Sequence, residues 1–245
     1  PSTNVFITRH GARLDNGPDM DPDWLRKAGH GRCRDAPLSP SGHKAAAELA
    51  ASLLHRQEAD GIILDHIVSS PFLRCIETAD ADAKALNVRI KVEPGISEVG
   101  SHASDMASQA ELEATFSRID PSYHPIMPRE DLPKSEWSDG AAARRAASVS
   151  KTVQSSLGGT ILFVGHGASC LGLVRAFGAD GYVGYCSLSY FQWAPAAANS
   201  ERGKWHLVGP LGDVSHLSDP QSALDSAWCR SFGVFVLACK LSNLM

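Results

Sequence analysis

Asn4-Val-Phe-Ile-Thr8 runs directly into Arg9-His10-Gly11. β-Branched and aromatic residues favour a strand, and the glycine ends it, so this stretch predicts a short strand opening into a loop. The same pattern returns twice. Gly159-Thr-Ile-Leu-Phe-Val164 is the clearest strand in the chain and ends at Gly165-His166-Gly167. Residues 62–69 form an apolar run that ends at Ser70-Pro71, and a helical pattern carrying Arg74 begins at once. In open α/β sheets, ligands bind outside the carboxyl ends of the strands. The spacing therefore predicts that Arg9, His10, Arg74 and His166 meet on one edge of a sheet.

Working outward, Ser39-Pro40-Ser41-Gly42 supplies helix-start chemistry for an Ala- and Leu-rich helix over 43–58. A second helix is expected over 72–86, followed by a strand over 88–92 that Pro94-Gly95 stops. Residues 98–140 are polar and broken by Pro121, Pro125, Pro128 and Pro133, which predicts a cap insertion with one helix near 108–118. Helices follow over 141–157 and 168–177, then two antiparallel strands over 187–193 and 204–208, and a helical tail over 222–245. Residues 12–40 read as a long loop, and long loops in compact domains are often functional. Alternating strands and helices predict one α/β domain over 1–245, a three-layer sandwich with a mostly parallel central sheet and helices on both faces.

Composition narrows the function. The 245 residues are 43% hydrophobic and 20% charged, with a net charge of −4. No global positive field exists to hold nucleic acid or an anionic membrane, so an anionic substrate needs a local cluster of cations. No apolar run approaches the ~20 residues of a membrane span. The N-terminus enters an apolar run without a signal-peptide pattern, although it begins with Pro1 rather than Met. Cys33, Cys75, Cys170, Cys186, Cys229 and Cys239 lack CxxC spacing, which suits reduced thiols in a cytoplasmic setting and argues against a zinc site. Cys75 and Cys170 suit small core positions, Ser169 a helix start, His43 and His55 exposed helix faces, and the Arg144-Arg145 pair a solvated helix face from which one arginine could brace the cap.

Two arginines and two histidines at one edge suit a phosphate. Guanidinium forks match its oxygens, and a helix beginning near Phe72 would add backbone N–H groups. A neutral imidazole is a nucleophile, and positive neighbours oppose its protonation. Phosphoryl transfer depends mainly on positioning and on neutralising the oxygens, with a carboxylic acid to protonate the leaving group.

Thr8-Arg9-His10-Gly11, Ser69-Ser70-Pro71-Phe72-Leu73-Arg74-Cys75-Ile76-Glu77-Thr78-Ala79 and Val164-Gly165-His166-Gly167 together resemble the three motifs of the histidine phosphatase, or phosphoglycerate mutase-like, superfamily. They occur in family order across roughly residues 4–195. The resemblance implies a phosphohistidine on His10, with Arg9, Arg74 and His166 holding the phosphoryl oxygens and no metal or cofactor. It implies an acid in Val92-Glu93-Pro94-Gly95-Ile96-Ser97-Glu98, where Glu98 fits the position and Glu93 is the competitor. Arg13 resembles the extra phosphate-binding arginine of the Arg-His-Gly-x-Arg form. With Asp35-Ala-Pro-Leu-Ser-Pro-Ser-Gly42 and Tyr185-Cys-Ser-Leu-Ser189, it is similar to the branch of T-cell ubiquitin ligand proteins and insect ecdysteroid-phosphate phosphatase. The chain departs from that branch in lacking an aromatic residue just after Glu98 and in having Gly167 where the branch favours alanine. The resemblance implies a phosphomonoester hydrolase acting on a phosphorylated small molecule or phosphotyrosine peptide, possible as a homodimer. Three alternatives stand: a mutase of the same fold, a phosphate-binding module with little turnover, and an interaction role for the polar cap and the apolar tail over 222–245.

Overall fold

The computed structural model describes residues 4–16, 19–28, 32–196 and 203–224. Its elements in chain order are β1 (Asn4–Arg9), α1 (Trp24–Ala28), α2 (Pro40–Asp60), β2 (His66–Ser69), α3 (Leu73–Leu86), β3 (Ile90–Val92), α4 (Gln109–Thr115), α5 (Asp139–Leu157), β4 (Thr160–Gly165), α6 (Gly167–Ala176), β5 (Leu188–Ala194) and β6 (Lys204–Asp213). They build one six-stranded sheet in the order β3-β2-β4-β1-β5-β6. The first four of these strands are parallel, and β5 runs antiparallel to both β1 and β6. The expected α/β sandwich is therefore present. The expected tail helix lies almost wholly outside the described residues. Among the described residues, no helix is long and apolar enough to cross a membrane.

Why the strands read as unbroken apolar runs is visible in the core. Side chains alternate between the two faces of a sheet, and here both faces are covered. Phe6, Leu162 and Val164 point into one cluster with Leu49 and Leu53 of α2 and Ile76 and Ala79 of α3. Val5, Ile7, Ile161 and Phe163 point into the other, with Val149 and Val153 of α5 and Leu173 and Val174 of α6. Two segments differ from expectation. The second strand starts at His66 rather than 62, because Gly61 ends α2 in the left-handed conformation (φ 67) and the chain needs the next residues to reach the sheet. The loop over 12–40 contains α1 and is tied down by the bridge Arg13↔Leu38.

Close backbone approach fixes the loop after β1. A Cβ on Gly42 would lie 2.2 Å from the Ala12 carbonyl oxygen, and one on Gly11 would lie 2.7 Å from the Gly42 carbonyl oxygen. Only glycines let the N-terminus of α2 sit against this loop. Ser39 caps that helix by accepting from Gly42 N (3.2 Å), with Pro40 in its first turn.

One buried group works against stability. Asp82 of α3 is fully buried, and neither carboxylate oxygen finds a hydrogen-bond partner among the described residues. Burial pushes its carboxyl well above the ordinary range. A folded pKa raised above the unfolded value means stability is fully present below about pH 3.9 and is lost as pH rises toward the folded value. Asp82→Asn is expected to be near neutral at pH 4 and stabilising by about 1 kcal/mol or more at pH 8. Thermal denaturation of both proteins across that range checks this. A difference that does not grow with pH contradicts it.

Candidate active site

Strand register brings the predicted residues together. Thr8 of β1 and Ser69 of β2 both pair with Val164 of β4, so the three strands end level. His10 N donates to Gly165 O (3.0 Å) and Ser70 N to Val164 O (3.1 Å), which extends the sheet's bonding one residue past each strand. Arg9, His10, Arg74 and His166 thus converge at one edge, all nearly or fully buried. The rings of His10 and His166 lie 5.2 Å apart, edge to face.

His10 is held in one tautomer. Its Nδ1 lies 2.7 Å from Gly11 O, an acceptor only, so Nδ1 carries the hydrogen and Nε2 keeps a lone pair. That Nε2 accepts from Arg74 Nε at 3.2 Å. Burial, then the charges of Arg74 and Arg9, hold the imidazole well below its ordinary pKa, against a smaller opposing effect of Gly11. Positive neighbours were the expected cause, yet burial is the larger one.

Arg74 links the two rings. Its Nη2 lies 3.1 Å from His166 Nδ1, and its Nη1 donates to Arg34 O (3.0 Å). Arginine has no acceptor, so Nδ1 of His166 accepts and Nε2–H donates to Ser70 Oγ (2.7 Å). Burial, followed by Arg74 and His10, also holds His166 well below its ordinary value. Arg9 lies with its guanidinium 4.1 Å from the centre of the Tyr185 ring and donates to Tyr182 Oη (3.4 Å). The helix start near Phe72 is not fully open: Leu73 N donates to the buried carboxylate of Asp35 (2.7 Å).

The two candidate acids differ sharply. Glu93 is fully buried and accepts from Gly95 N, Met127 N, Ile126 N and Tyr123 Oη at 2.7–3.1 Å. All its capacity goes to folding the cap back onto the sheet. Glu98 is part-exposed, accepts from its neighbour Val99 N (3.0 Å), and places Oε2 3.7 Å from His166 Nδ1. Arg13 does not point a free fork into the site. Its Nε and Nη2 bond Asp15 at 2.8 and 2.5 Å. The Arg144-Arg145 pair divides: Arg144 is exposed as a solvated face requires, whereas Arg145 is 7% exposed and paired with buried Glu136. An arginine buried at this level needs a counter-ion and full hydrogen bonding, and it has both.

The histidine phosphatase superfamily (branch 1) matches residues 5–199. The chain belongs to that superfamily. It is 29% identical over 255 residues to ubiquitin-associated and SH3 domain-containing protein B of Homo sapiens, covering 84% of the chain and 37% of that protein. It is 28% identical over 193 residues to ecdysteroid-phosphate phosphatase of Bombyx mori, covering 66% of the chain and 28% of that protein. The chain therefore spans less than two fifths of these curated relatives. Among solved structures, the ecdysone phosphate phosphatase from Bombix mori in complex with tungstate superposes with a TM-score of 0.62 at 22% identity, covering 85% of the chain and 92% of that structure. Sequence patterning gave no role to several residues that bond around the candidate site: Ser70, Asp35, Arg34 and Tyr182. Ser70 stood in the second motif, but its bond to His166 depends on two strands ending level.

Proposed function

We propose that the chain is a phosphomonoester hydrolase working through a phosphohistidine on His10. Nε2 of His10 attacks phosphorus, and the bond from phosphorus to the leaving oxygen breaks as the Glu98 carboxyl gives that oxygen its proton. In the second step a water oxygen attacks phosphorus, Glu98 takes the water proton, and the P–N bond breaks to release phosphate and free His10. Dividing the reaction this way replaces one difficult displacement with two easier ones. Arg9 and Arg74 hold the phosphoryl oxygens, His166 joins them as its Nε2–H turns from Ser70 to the phosphoryl group, and Arg13 joins them if its fork leaves Asp15. The observation that carries this is the lone pair of His10 Nε2 facing Arg74, which simultaneously bonds the second imidazole.

The substrate in this proposal is a phosphorylated small molecule or a phosphotyrosine peptide, handled in the cytoplasm. The names of the relatives make a steroid phosphate one member of the first class. The test is a screen across aryl, steroid, sugar and nucleotide phosphates and phosphotyrosine peptides, with rapid quench on labelled substrate. The expected result is label on histidine, stable in alkali and lost in acid, with free phosphate as final product. Transfer of the label to a second hydroxyl would make the chain a mutase. Phosphate binding with no labelled enzyme would make it a binding module.

A further inference from the structure

Residues 95–100, which carry Glu98, are gripped by guanidinium groups through their main chain. Arg145 Nη1 donates to Gly95 O (2.8 Å), and its Nη2 donates to Ser97 O (3.1 Å) and Glu98 O (3.3 Å). Ser101 Oγ also donates to Glu98 O (2.7 Å). From the other side, Arg34 donates to Val99 O (2.7 Å) and to Gly100 O. Five carbonyls of the six-residue stretch therefore end on an arginine. The stretch passes from the 3-10 turn Pro94–Ile96 to a turn at Gly100 (φ 61), and its carbonyls are satisfied by these side chains rather than by a sheet or helix.

Arg145 is the buried member of this clamp. Its side chain and that of Glu136 are each 4% exposed, while that of Arg34 is 39% exposed. Glu136 takes Arg145 Nε at 3.0 Å and Nη2 at 2.6 Å, a bidentate pairing that fixes the plane of the guanidinium. The fork is thus oriented before it meets the loop. Its hydrogen bonds go to Glu136 and to the carbonyls of Gly95, Ser97 and Glu98, so its influence on chemistry passes through the backbone it holds.

We propose that Arg145, oriented by Glu136, is a positioning residue that sets the Glu98 carboxyl at the leaving-group side of the phosphoryl site. This rests on Glu98 being the proton donor. The clamp fixes the Glu98 Cα and the Val99 N–H together, and that N–H, donating to Glu98 Oε1 (3.0 Å), turns Oε2 toward His166 Nδ1 (3.7 Å). Losing the clamp lets the acid drift, and a displacement of about 1 Å in a reacting group can cost on the order of a hundredfold in rate. The loss falls on proton donation alone. A leaving group that departs as a stable anion needs little protonation, whereas an alkoxide cannot leave without it.

The experiment measures kcat/KM with 2,4-dinitrophenyl, p-nitrophenyl, phenyl and alkyl phosphates for wild type, Glu98→Gln, Arg145→Lys, Glu136→Gln and the Glu98→Gln/Arg145→Lys double variant. Arg145→Lys keeps the charge and loses the fork. Glu136→Gln keeps Arg145 and loosens its orientation, so one variant remains informative if the other fails to fold. Expected for Glu98→Gln is a loss of about a hundredfold or more on phenyl and alkyl phosphates and a small loss on dinitrophenyl phosphate. Arg145→Lys and Glu136→Gln should show the same slope with smaller losses, about tenfold at the poor-leaving-group end. The double variant should be no slower than Glu98→Gln alone, because a residue acting only through Glu98 has nothing left to position. A uniform loss across the series in Arg145→Lys, no loss, or additive losses in the double variant overturns the positioning role while leaving Glu98 in place. A flat profile in Glu98→Gln overturns the acid assignment itself, and the positioning role with it.

Discussion

Replacing His10 with alanine is expected to abolish turnover of every phosphomonoester the wild type accepts. His10 offers a lone pair, a fixed tautomer and a position beside Arg74 and Arg9. His166 shares the fixed tautomer and the contact with Arg74, so the variant decides between the two rings, and the Arg9-His10-Gly11 motif favours His10. The alanine variant should keep its phosphate-binding cations and its fold, since the backbone bond from His10 N to Gly165 O survives the change. It should also gain a buried void shaped like the lost ring, so millimolar imidazole should restore part of the activity with an activated aryl phosphate. Residual turnover without imidazole, at a level above trace contamination, would mean the nucleophile lies elsewhere. The ionisation of His10 adds a pH prediction for the wild type. Burial and the neighbouring guanidiniums lower its pKa, so the ring stays neutral below the ordinary imidazole value of about 6.5. The acid limb of kcat/KM should therefore fall below that value once the substrate's own second ionisation is divided out. A limb at or above it contradicts the neutral, desolvated ring.

Much of this site was legible before any coordinates because its parts sit where strands stop. A strand buried on both faces is an apolar run with an abrupt end, and His10 and His166 each stand one residue past such an end. Ile62, Ile63 and Leu64 look like more of the same, yet Ile63 is 64% exposed and the paired strand begins only at His66. An apolar run shows where a strand can form; the partner's register decides where it does. The acid was harder. Spacing alone could not separate Glu93 from Glu98, because three of the four donors that occupy Glu93 come from residues 123–127, some thirty positions away. Which of Arg144 and Arg145 turns inward was hidden for the same reason. The neighbours of Arg145 on α5 look solvated, and only the carbonyls of a loop about fifty residues earlier, together with Glu136, explain its burial. Long-range polar satisfaction leaves no periodic trace in the chain, whereas apolar burial does.

Arg74 carries the second large effect, and its variants separate two contributions that usually travel together. Its guanidinium donates Nε to His10, Nη2 to His166 and Nη1 to Arg34 O, so it supplies both geometry and charge at the phosphoryl position. Arg74→Met removes both, and kcat/KM should fall by about a thousandfold, the scale on which preorganised donors stabilise developing charge. The Coulombic push on both imidazoles also vanishes, while burial remains. Removing a positive neighbour makes protonation easier, so the acid limb of the pH profile should move upward, toward neutral pH. Arg74→Lys keeps a positive charge but has one ammonium where the fork bridged two rings. It should lose much of the rate while its acid limb stays near that of wild type. If Arg74→Lys were as fast as wild type, charge alone would suffice and the shared contact to both rings would be incidental. If Arg74→Met left the acid limb in place, burial alone would account for the neutral rings, and the arginine's role would reduce to holding oxygens.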